Sequence, residues 1–136
     1  MTPFLWLLLG SVGLAIVAVL ARRRSFQRIP DMGDTEFVRV YKKTFDGDDA
    51  SIIRERKFVA TTLGVPHQKL HPNHRFRDLS NLHFDVGYEV AMGDLEYHLI
   101  DLRQRAGDEV SSGFPDTVGE FVFALVTLRK RLGEEA

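Results

Sequence analysis

An uncharged apolar run near the N-terminus constrains this chain more than any other feature of its sequence. From Pro3 to Ala21 the residues read PFLWLLLGSVGLAIVAVLA, and none of them carries a charge. A helix of this length spans about 28 Å, close to the thickness of the hydrocarbon core of a bilayer. So long a run is unusual for a buried helix of a soluble domain. The sequence therefore predicts a transmembrane anchor over residues 1–21.

Basic residues follow this run directly, and none precedes it. A secretory signal peptide carries basic residues before its apolar stretch, so an uncleaved anchor is favoured, although Val19 and Ala21 leave cleavage open. Lys and Arg beside a span favour the cytoplasmic side, so we expect the N-terminus outside and residues 30–136 in the cytoplasm. The same side chains are expected to touch anionic membrane lipid. The membrane-flanking residues are Arg22, Arg23, Arg24 and Arg28.

Composition narrows the classes of partner and of chemistry. The chain has 18 Lys plus Arg against 19 Asp plus Glu and a net charge of −1, which argues against a nucleic-acid partner. It has no cysteine, so disulfides, thiol nucleophiles and cysteine-ligated zinc are excluded. Within the span, Ser11 and Ala15 stand at the spacing that lets membrane helices pack closely, so a homodimer through the transmembrane helix stays open.

Residues 22–47 have the pattern of a basic juxtamembrane linker followed by a short amphipathic segment. Pro30 and Gly33 interrupt the helical pattern, so the chain is expected to run along the headgroups and then turn away. A short helix is predicted from Asp34 or Thr35, because aromatic residues then recur every four positions. Valines that alternate in the same stretch also fit a strand, so its conformation stays open.

Residues 48–136 are predicted to form one all-α domain, a small helical bundle. The acidic turn from Asp46 to Asp49 resembles the start of a calcium loop, but the later ligands, including the final glutamate, are missing. A turn that caps the first helix is the better interpretation. That helix is predicted from Asp49 to Leu63, and Gly64 ends it.

The apolar period predicts which side chains fill the core. In the first helix Ile52, Val59 and Leu63 lie on one face, and the charged residues Arg54–Lys57 are expected to point largely outward. Residues 64–81 contain two prolines and are predicted to form an ordered loop that inserts apolar side chains into the core. These side chains are Val65, Leu70, Phe76 and Leu79.

Two further helices complete the predicted bundle. The second is predicted from about His83 to Arg105, with Gly107 placed to end it. Thr117 and Glu120 have the spacing of a capping box before a strongly periodic apolar stretch. This pattern predicts the start of the last helix there.

The stretch RERKFVATTLGVPHQKLHPNHRFRDL, from Arg54 to Leu79, resembles the first helix and the following loop of acyl carrier proteins. The later stretch TVGEF, residues 117–121, is similar to the start of that family's last helix. The resemblance covers about residues 49–132 and implies an acyl-carrier-like helical bundle, with a generic small bundle as the alternative. The matching positions are Phe58, Val59, Leu63, Gly64, Val65, Leu70, Phe76, Asp78 and Leu79.

The attachment site of that family is altered here. Acyl carrier proteins hold the acyl group on a phosphopantetheine arm, which is attached to a serine at the start of the second helix. Phe84 falls at that position in this chain, and it cannot carry the arm. The nearby hydroxyl is that of Ser80, so a functional acyl or peptidyl carrier would use Ser80. The simpler interpretation of Ser80 is a helix cap.

Histidines cluster in the loop region, which raises the question of a metal site. Three imidazoles that converge can bind zinc. Such a site also needs a rigid frame and supporting hydrogen bonds, which a proline-rich loop does not guarantee. Solvated loop histidines are therefore predicted, with a histidine-loop metal-binding protein as an alternative. The residues are His67, His71, His74 and His83.

Acidic residues recur along the predicted second helix. In acyl carrier proteins this helix docks on basic patches of partner proteins, so the resemblance implies a partner-binding face here. Asp85 and Glu89 lie one turn apart and are the candidate contacts. A solvated face is the plain alternative. The full set is Asp85, Glu89, Asp94, Glu96 and Asp101.

No nucleophile, base and orienting group can be assembled from this sequence, so no catalytic residue and no resident cofactor is predicted. The sequence favours a membrane-anchored, non-catalytic, acyl-carrier-like module that binds an unknown protein partner at the cytoplasmic face. A carrier that uses Ser80 with phosphopantetheine remains the first alternative.

Overall fold

The apolar periods and end signals of the sequence appear as helices along the chain. The computed structural model describes residues 2–80, 87–108 and 113–134. Over these residues the regular structure is helical, with an isolated backbone bridge between Arg75 and Thr117. The elements are α1 (Pro3–Gln27), α2 (Asp34–Tyr41), α3 (Asp49–Leu63), a 3₁₀ helix (His67–Lys69), α4 (Phe76–Ser80), α5 (Gly87–Ala106) and α6 (Val118–Arg131). The all-α prediction is confirmed.

The apolar run lies in the first helix, α1. The stretch Pro3–Ala21 has 19 residues and a mean hydropathy of 2.5, and none of it is buried inside the protein. Its length and composition suffice to cross a membrane. A helix from the core of a soluble protein would be mostly buried. The hydroxyl of Ser11 donates to the carbonyl of Leu7 at 2.8 Å, which satisfies it within the helix. Among the described residues one helix is apolar and long enough to span a membrane, as the sequence predicts.

The hydrophobic core includes side chains from before residue 48. α1 continues past the apolar run to Gln27, and Phe26 is 7% exposed and belongs to the hydrophobic core. The predicted helix at residue 34 is confirmed as α2, whose Phe37 and Tyr41 are buried in the same core. The core therefore includes residues that the sequence presents as a linker, because their apolar side chains find partners only in the folded domain.

The predicted ends of α3 are confirmed. The carboxylate of Asp48 accepts a hydrogen bond from the N–H of Ser51 at 3.2 Å, so the acidic turn caps the helix. Gly64 ends it with φ of 67°, a left-handed conformation that a residue without a Cβ adopts at little cost.

The outward orientation predicted for residues 54–57 is wrong at two positions. Glu55 and Arg56 are both 0% exposed. The helical period explains this, because both positions fall on the stripe between Ile52 and Val59, which is the buried face of α3. Charged side chains occupy core positions here because each one has partners, described below.

The loop after α3 supplies part of the core, as predicted. Its apolar side chains Val65, Leu70, Phe76 and Leu79 are all buried. The ring of Phe76 packs edge-on against Phe121 of α6 at a centroid distance of 5.7 Å. The 3₁₀ helix and α4 within this loop are too short to produce a period in the sequence.

The same loop satisfies the N-terminus of α6. The N–H of Val118 donates to the carbonyl of His74 at 2.9 Å, and the N–H of Gly119 donates to the carbonyl of Pro72 at 2.8 Å. A Cβ on Gly119 would lie 2.9 Å from that Pro72 oxygen, so the close approach requires glycine. The predicted capping box of Thr117 with residue 120 is confirmed. The first donors of α6 therefore have partners.

The bundle is formed by α3, α5 and α6, which pack against one another, with α2 against α3. Gly107 follows α5 with φ of 75°, which confirms the predicted end of that helix. Its predicted start near His83 lies outside the described residues. The hydroxyl of Tyr88 donates to the carbonyl of Phe76 and so joins α5 to α4.

Candidate partner-binding surface

One side of α5 is buried in the bundle, so the opposite side faces solvent. Leu95, Leu99 and Leu102 are at most 1% exposed, and the helix packs against α3 and α6. Successive residues of an α-helix are rotated by about 100°, so the opposite side of α5 points away from the bundle.

This outward side combines apolar and acidic groups, and we call it the acidic face of α5. Along its middle, Val90 is 62% exposed and Tyr97 is 74% exposed. At 100° per residue, acids flank this stripe on both sides. Large exposed apolar groups that are rimmed by charge are typical of interaction sites. The face consists of Glu89, Val90, Gly93, Asp94, Glu96 and Tyr97, all exposed.

Gly93 lies in the middle of the acidic face. No atom lies within 4 Å of a Cβ built on it, so packing within the described part of the chain does not require glycine there. A glycine inside an exposed helix costs about 1 kcal/mol relative to alanine. Its effect is to leave a flat place between Val90 and Tyr97, where another surface can approach the backbone.

The charge of α5 changes towards its C-terminus. Asp101 pairs with Arg105 at 3.2 Å, and Arg105 also reaches Glu134 at 2.5 Å. Arg103 and Arg105 are the basic residues of the last turn. The negative potential of the helix is therefore concentrated in the part that carries Glu89, Asp94 and Glu96.

A partly buried polar cluster joins α5 to α3 and α6. Glu55 of α3 lies 2.6 Å from Nε of Arg129 on α6, and it also pairs with Arg54 at 3.2 Å. Nη2 of Arg129 lies 2.9 Å from Nε2 of His98 on α5. Because arginine has only donors, Nε2 of His98 is the acceptor. The ring of His98 also packs on Phe58, with centroids 4.6 Å apart.

Electrostatics within this cluster favour a neutral His98. Burial and the nearby Arg129 lower the pKa of His98. Burial raises the pKa of Glu55, and the two arginines beside it act in the opposite direction. The cluster contains a glutamate, an arginine and a histidine, but its contacts join helices of the bundle. His98 lies about 80–100° around α5 from the exposed Val90 and Tyr97.

Sequence reasoning missed this cluster. A usable signal was present for Glu55, whose position falls on the apolar stripe of α3. Arg129 and His98 carry no such signal, because their contact joins residues of two different helices. Only the packing of α5 against α6 brings them together.

The predicted site residues fall in different places. Glu89 is exposed in the first turn of α5, whereas Asp85 and His83 lie outside the described residues. Ser80 is the last residue of α4, and its side chain is also outside the described part. Arg24 and Arg28 are exposed. Arg22 and Arg23 continue α1, with side chains outside the described part.

The loop histidines contact each other and the backbone. The rings of His71 and His74 stack with centroids 4.6 Å apart, and Nδ1 of His74 accepts from the N–H of His71 at 3.2 Å. His67 lies in the 3₁₀ helix. Among the described residues, no group of three or more His, Cys, Asp or Glu is placed to hold a metal ion.

A small cleft lies beside the acidic face, and its volume is about 70 Å³. Pockets for cofactors and drug-sized molecules are usually about 300–1,000 Å³, so this cleft is too small for such a ligand. It is lined by Glu96, Leu99, Ile100, Arg103, Gly113 and Phe114.

Comparison with known proteins finds no relative of this chain. No family model, no curated protein and no solved structure matches the chain. The chemistry of the acidic face is therefore inferred from its own side chains.

Proposed function

We propose that this protein is a membrane-anchored, non-catalytic interaction module with an acyl-carrier-like bundle. In this proposal α1 crosses the membrane with its N-terminus outside. The helical domain lies on the cytoplasmic side and binds a protein partner through the acidic face of α5. The exposed stripe of Val90 and Tyr97 between acids is the observation that carries the proposal.

The chemistry of this face defines the partner that it fits. An apolar centre with an acidic rim matches a protein surface on which basic side chains surround a small apolar patch. Tyr97 supplies a large amphipathic ring of the kind that often dominates binding energy. Steering by the carboxylates is screened over about 8 Å at physiological salt, so binding is expected to weaken as salt rises.

A photocrosslinking experiment tests this function. A photoreactive amino acid replaces Tyr97 in the full-length protein in cells, and crosslinked partners are identified by mass. We expect Glu89→Lys, with or without Asp85→Lys, to abolish the crosslink because it reverses the rim charge. The same crosslink should weaken in membranes assayed at high salt.

A matched variant on the same helix controls for non-specific charge effects. Gln104 is exposed on α5 but lies near the basic C-terminal turn. Gln104→Lys should leave the crosslink intact. If Gln104→Lys and Glu89→Lys weaken it equally, net charge and not the acidic face controls binding, and the proposal fails.

Attachment of phosphopantetheine to Ser80 would distinguish a carrier from an interaction module. Intact mass after incubation with coenzyme A and a phosphopantetheinyl transferase reports attachment directly, with Ser80→Ala as the control. We expect no mass increase and no effect of Ser80→Ala on the crosslink at Tyr97. A mass increase that depends on Ser80 would make the protein a carrier.

A further inference from the structure

The segment between α1 and α2 is held by side chains of the domain. Nζ of Lys69 donates to the carbonyl of Ile29 at 2.8 Å and pairs with Asp31 at 2.6 Å. Nε2 of His71 lies 2.8 Å from the carbonyl oxygen of Pro30. Both side chains come from the loop that follows α3, so this loop is hydrogen-bonded to the segment directly after α1.

Met32 and Asp34 extend the same attachment. The N–H of Met32 donates to the carbonyl of Gln68 at 2.8 Å, and its own carbonyl accepts from Nη2 of Arg56 at 2.6 Å. Nη1 of Arg56 pairs with Asp34 at 2.9 Å. Phe26 is buried in the core just before this segment. A chain fixed by its backbone and by a core side chain is not a flexible tether.

Helix geometry places this attachment close to the end of the apolar run. Phe26 lies five residues beyond Ala21, which is about 7.5 Å along an α-helix. Ile29, whose carbonyl Lys69 contacts, is eight residues beyond Ala21. This is about 12 Å at helical rise and at most about 16 Å, because α1 ends at Gln27. The headgroup layer on each side of a bilayer is about 5–7 Å thick.

We infer that the domain is held against the lipid headgroups, with the loop of residues 66–71 as its membrane-facing edge. This inference rests on the proposed membrane anchorage of α1. The partner at this edge is the phospholipid headgroup layer. Pro66 and Gln68 are exposed there, and Arg24 and Arg28 are exposed on the adjoining chain. The exposed carboxylate at this edge, that of Asp31, is paired with Lys69. Uncharged and cationic groups suit the headgroup layer.

The chain is well suited to a fluorescence test in nanodiscs. It has no cysteine and a single tryptophan, Trp6, inside the apolar run. A fluorophore is attached to Gln68→Cys in the full-length protein, and nanodiscs are made of zwitterionic lipid, so that arginines alone do not recruit the domain. A spin label on the lipid headgroup quenches the fluorophore only at close range. Brominated acyl chains report insertion of Trp6.

A length variant separates attachment from simple proximity. Twelve Gly/Ser residues inserted between Ala21 and Arg22 leave the gripped segment intact and add a flexible spacer of about 19 Å. The control carries the same insertion after Gly133. Circular dichroism melting checks that both variants keep the fold.

The expected result is strong quenching of the Gln68 label in the parent and in the C-terminal control, and its loss in the variant with the spacer after Ala21. Weak quenching in the parent, with Trp6 quenched, overturns the inference and leaves the anchor in place. Equal quenching with the spacer also overturns it, because the grip of the loop would then be irrelevant. An unquenched Trp6 means that α1 is not inserted, which refutes the proposed anchor and this inference together.

Discussion

At the scale of single residues, Arg56 is a fully buried charged side chain that contacts four other residues. Its guanidinium is fully buried and donates to the carbonyls of Met32 and Leu70, at 2.6 and 3.0 Å, while pairing with Asp34. It also lies over the ring of Phe37, 4.5 Å from the centroid. The two terminal nitrogens of a guanidinium reach these acceptors from separate positions, whereas the donors of an ammonium group all radiate from one nitrogen.

We therefore expect Arg56→Met to lower the free energy of unfolding by about 3 kcal/mol, because it leaves buried acceptors and a carboxylate without their partner. Arg56→Lys should recover only part of this loss. Thermal and chemical unfolding of the detergent-solubilised protein measure both effects. Lys57→Met is the control, since Lys57 is exposed on the same helix. Equal stability of Arg56→Met and Lys57→Met would contradict this account.

His74 is one residue through which the stability of the fold depends on pH. Burial and the neighbouring His71 lower the pKa of His74 to about 4, from an ordinary value of 6.5. Its Nδ1 accepts a backbone hydrogen bond, so a proton there would break that contact. The unfolded chain takes up this proton at higher pH than the folded chain does. His74 therefore contributes stability above pH 6.5 that is lost as the pH falls towards 4.

Replacing His74 with asparagine should keep an acceptor oxygen and remove the titration. Between pH 7.5 and pH 4, we expect His74→Asn to lose about 2 kcal/mol less of its free energy of unfolding than the parent loses. This value is smaller than the full pKa difference of His74 would give, because its ring is partly exposed and solvent screens the charge. Urea unfolding at a series of pH values measures the difference. An unchanged pH profile would show that His74 is not the titrating group.

At the scale of elements, the loop between α3 and α5 acts as part of the core. Phe76 is 4% exposed and its ring packs edge-on against Phe114 and Phe121, at 5.3 and 5.7 Å. We expect Phe76→Ala to lower the free energy of unfolding by about 3–5 kcal/mol, because it leaves a cavity between the loop and α6. Chemical unfolding measures this loss.

A phenylalanine on the surface provides the comparison. Phe123 is 38% exposed, although its ring stacks on Phe45 at 5.0 Å, so Phe123→Ala should cost clearly less than Phe76→Ala. If Phe76→Ala unfolds like the parent, the loop is not a core element. The proposed acyl-carrier-like bundle would then lose its main support.

At the scale of the whole molecule, the arginines after the apolar run predict the orientation in the membrane. A reporter that is active only outside the cytoplasm, fused after Ala136, should be inactive, and a cytoplasmic reporter at the same place should be active. Moving the charge tests the cause. Replacing Arg22, Arg23 and Arg24 with glutamine and adding lysines before Pro3 should reverse both signals. An outside-active reporter on the parent chain would refute the orientation.

Much of the fold could be predicted from local sequence patterns. The caps at Asp48 and Thr117 and the stop at Gly64 were predictable because each depends on a few neighbouring residues. The buried Phe76 and Leu79 were predicted from the apolar pattern of the loop and the family resemblance. The candidate surface was predicted only in part, since Glu89 has a recognisable helical spacing but the exposure of Val90 and Tyr97 depends on which side of α5 packs inward.

The sequence by itself determined the apolar helix at the N-terminus, the helical class and several helix ends, namely those of α3, the end of α5 and the start of α6, because these depend on local composition, period and capping. The tertiary structure decided that Glu55 and Arg56 are buried, that His98 meets Arg129, and that the chain after α1 is gripped by Lys69 and His71. Each of these contacts joins residues far apart in the chain. Their energies arise from desolvation and hydrogen-bond partners that exist only once the helices have packed.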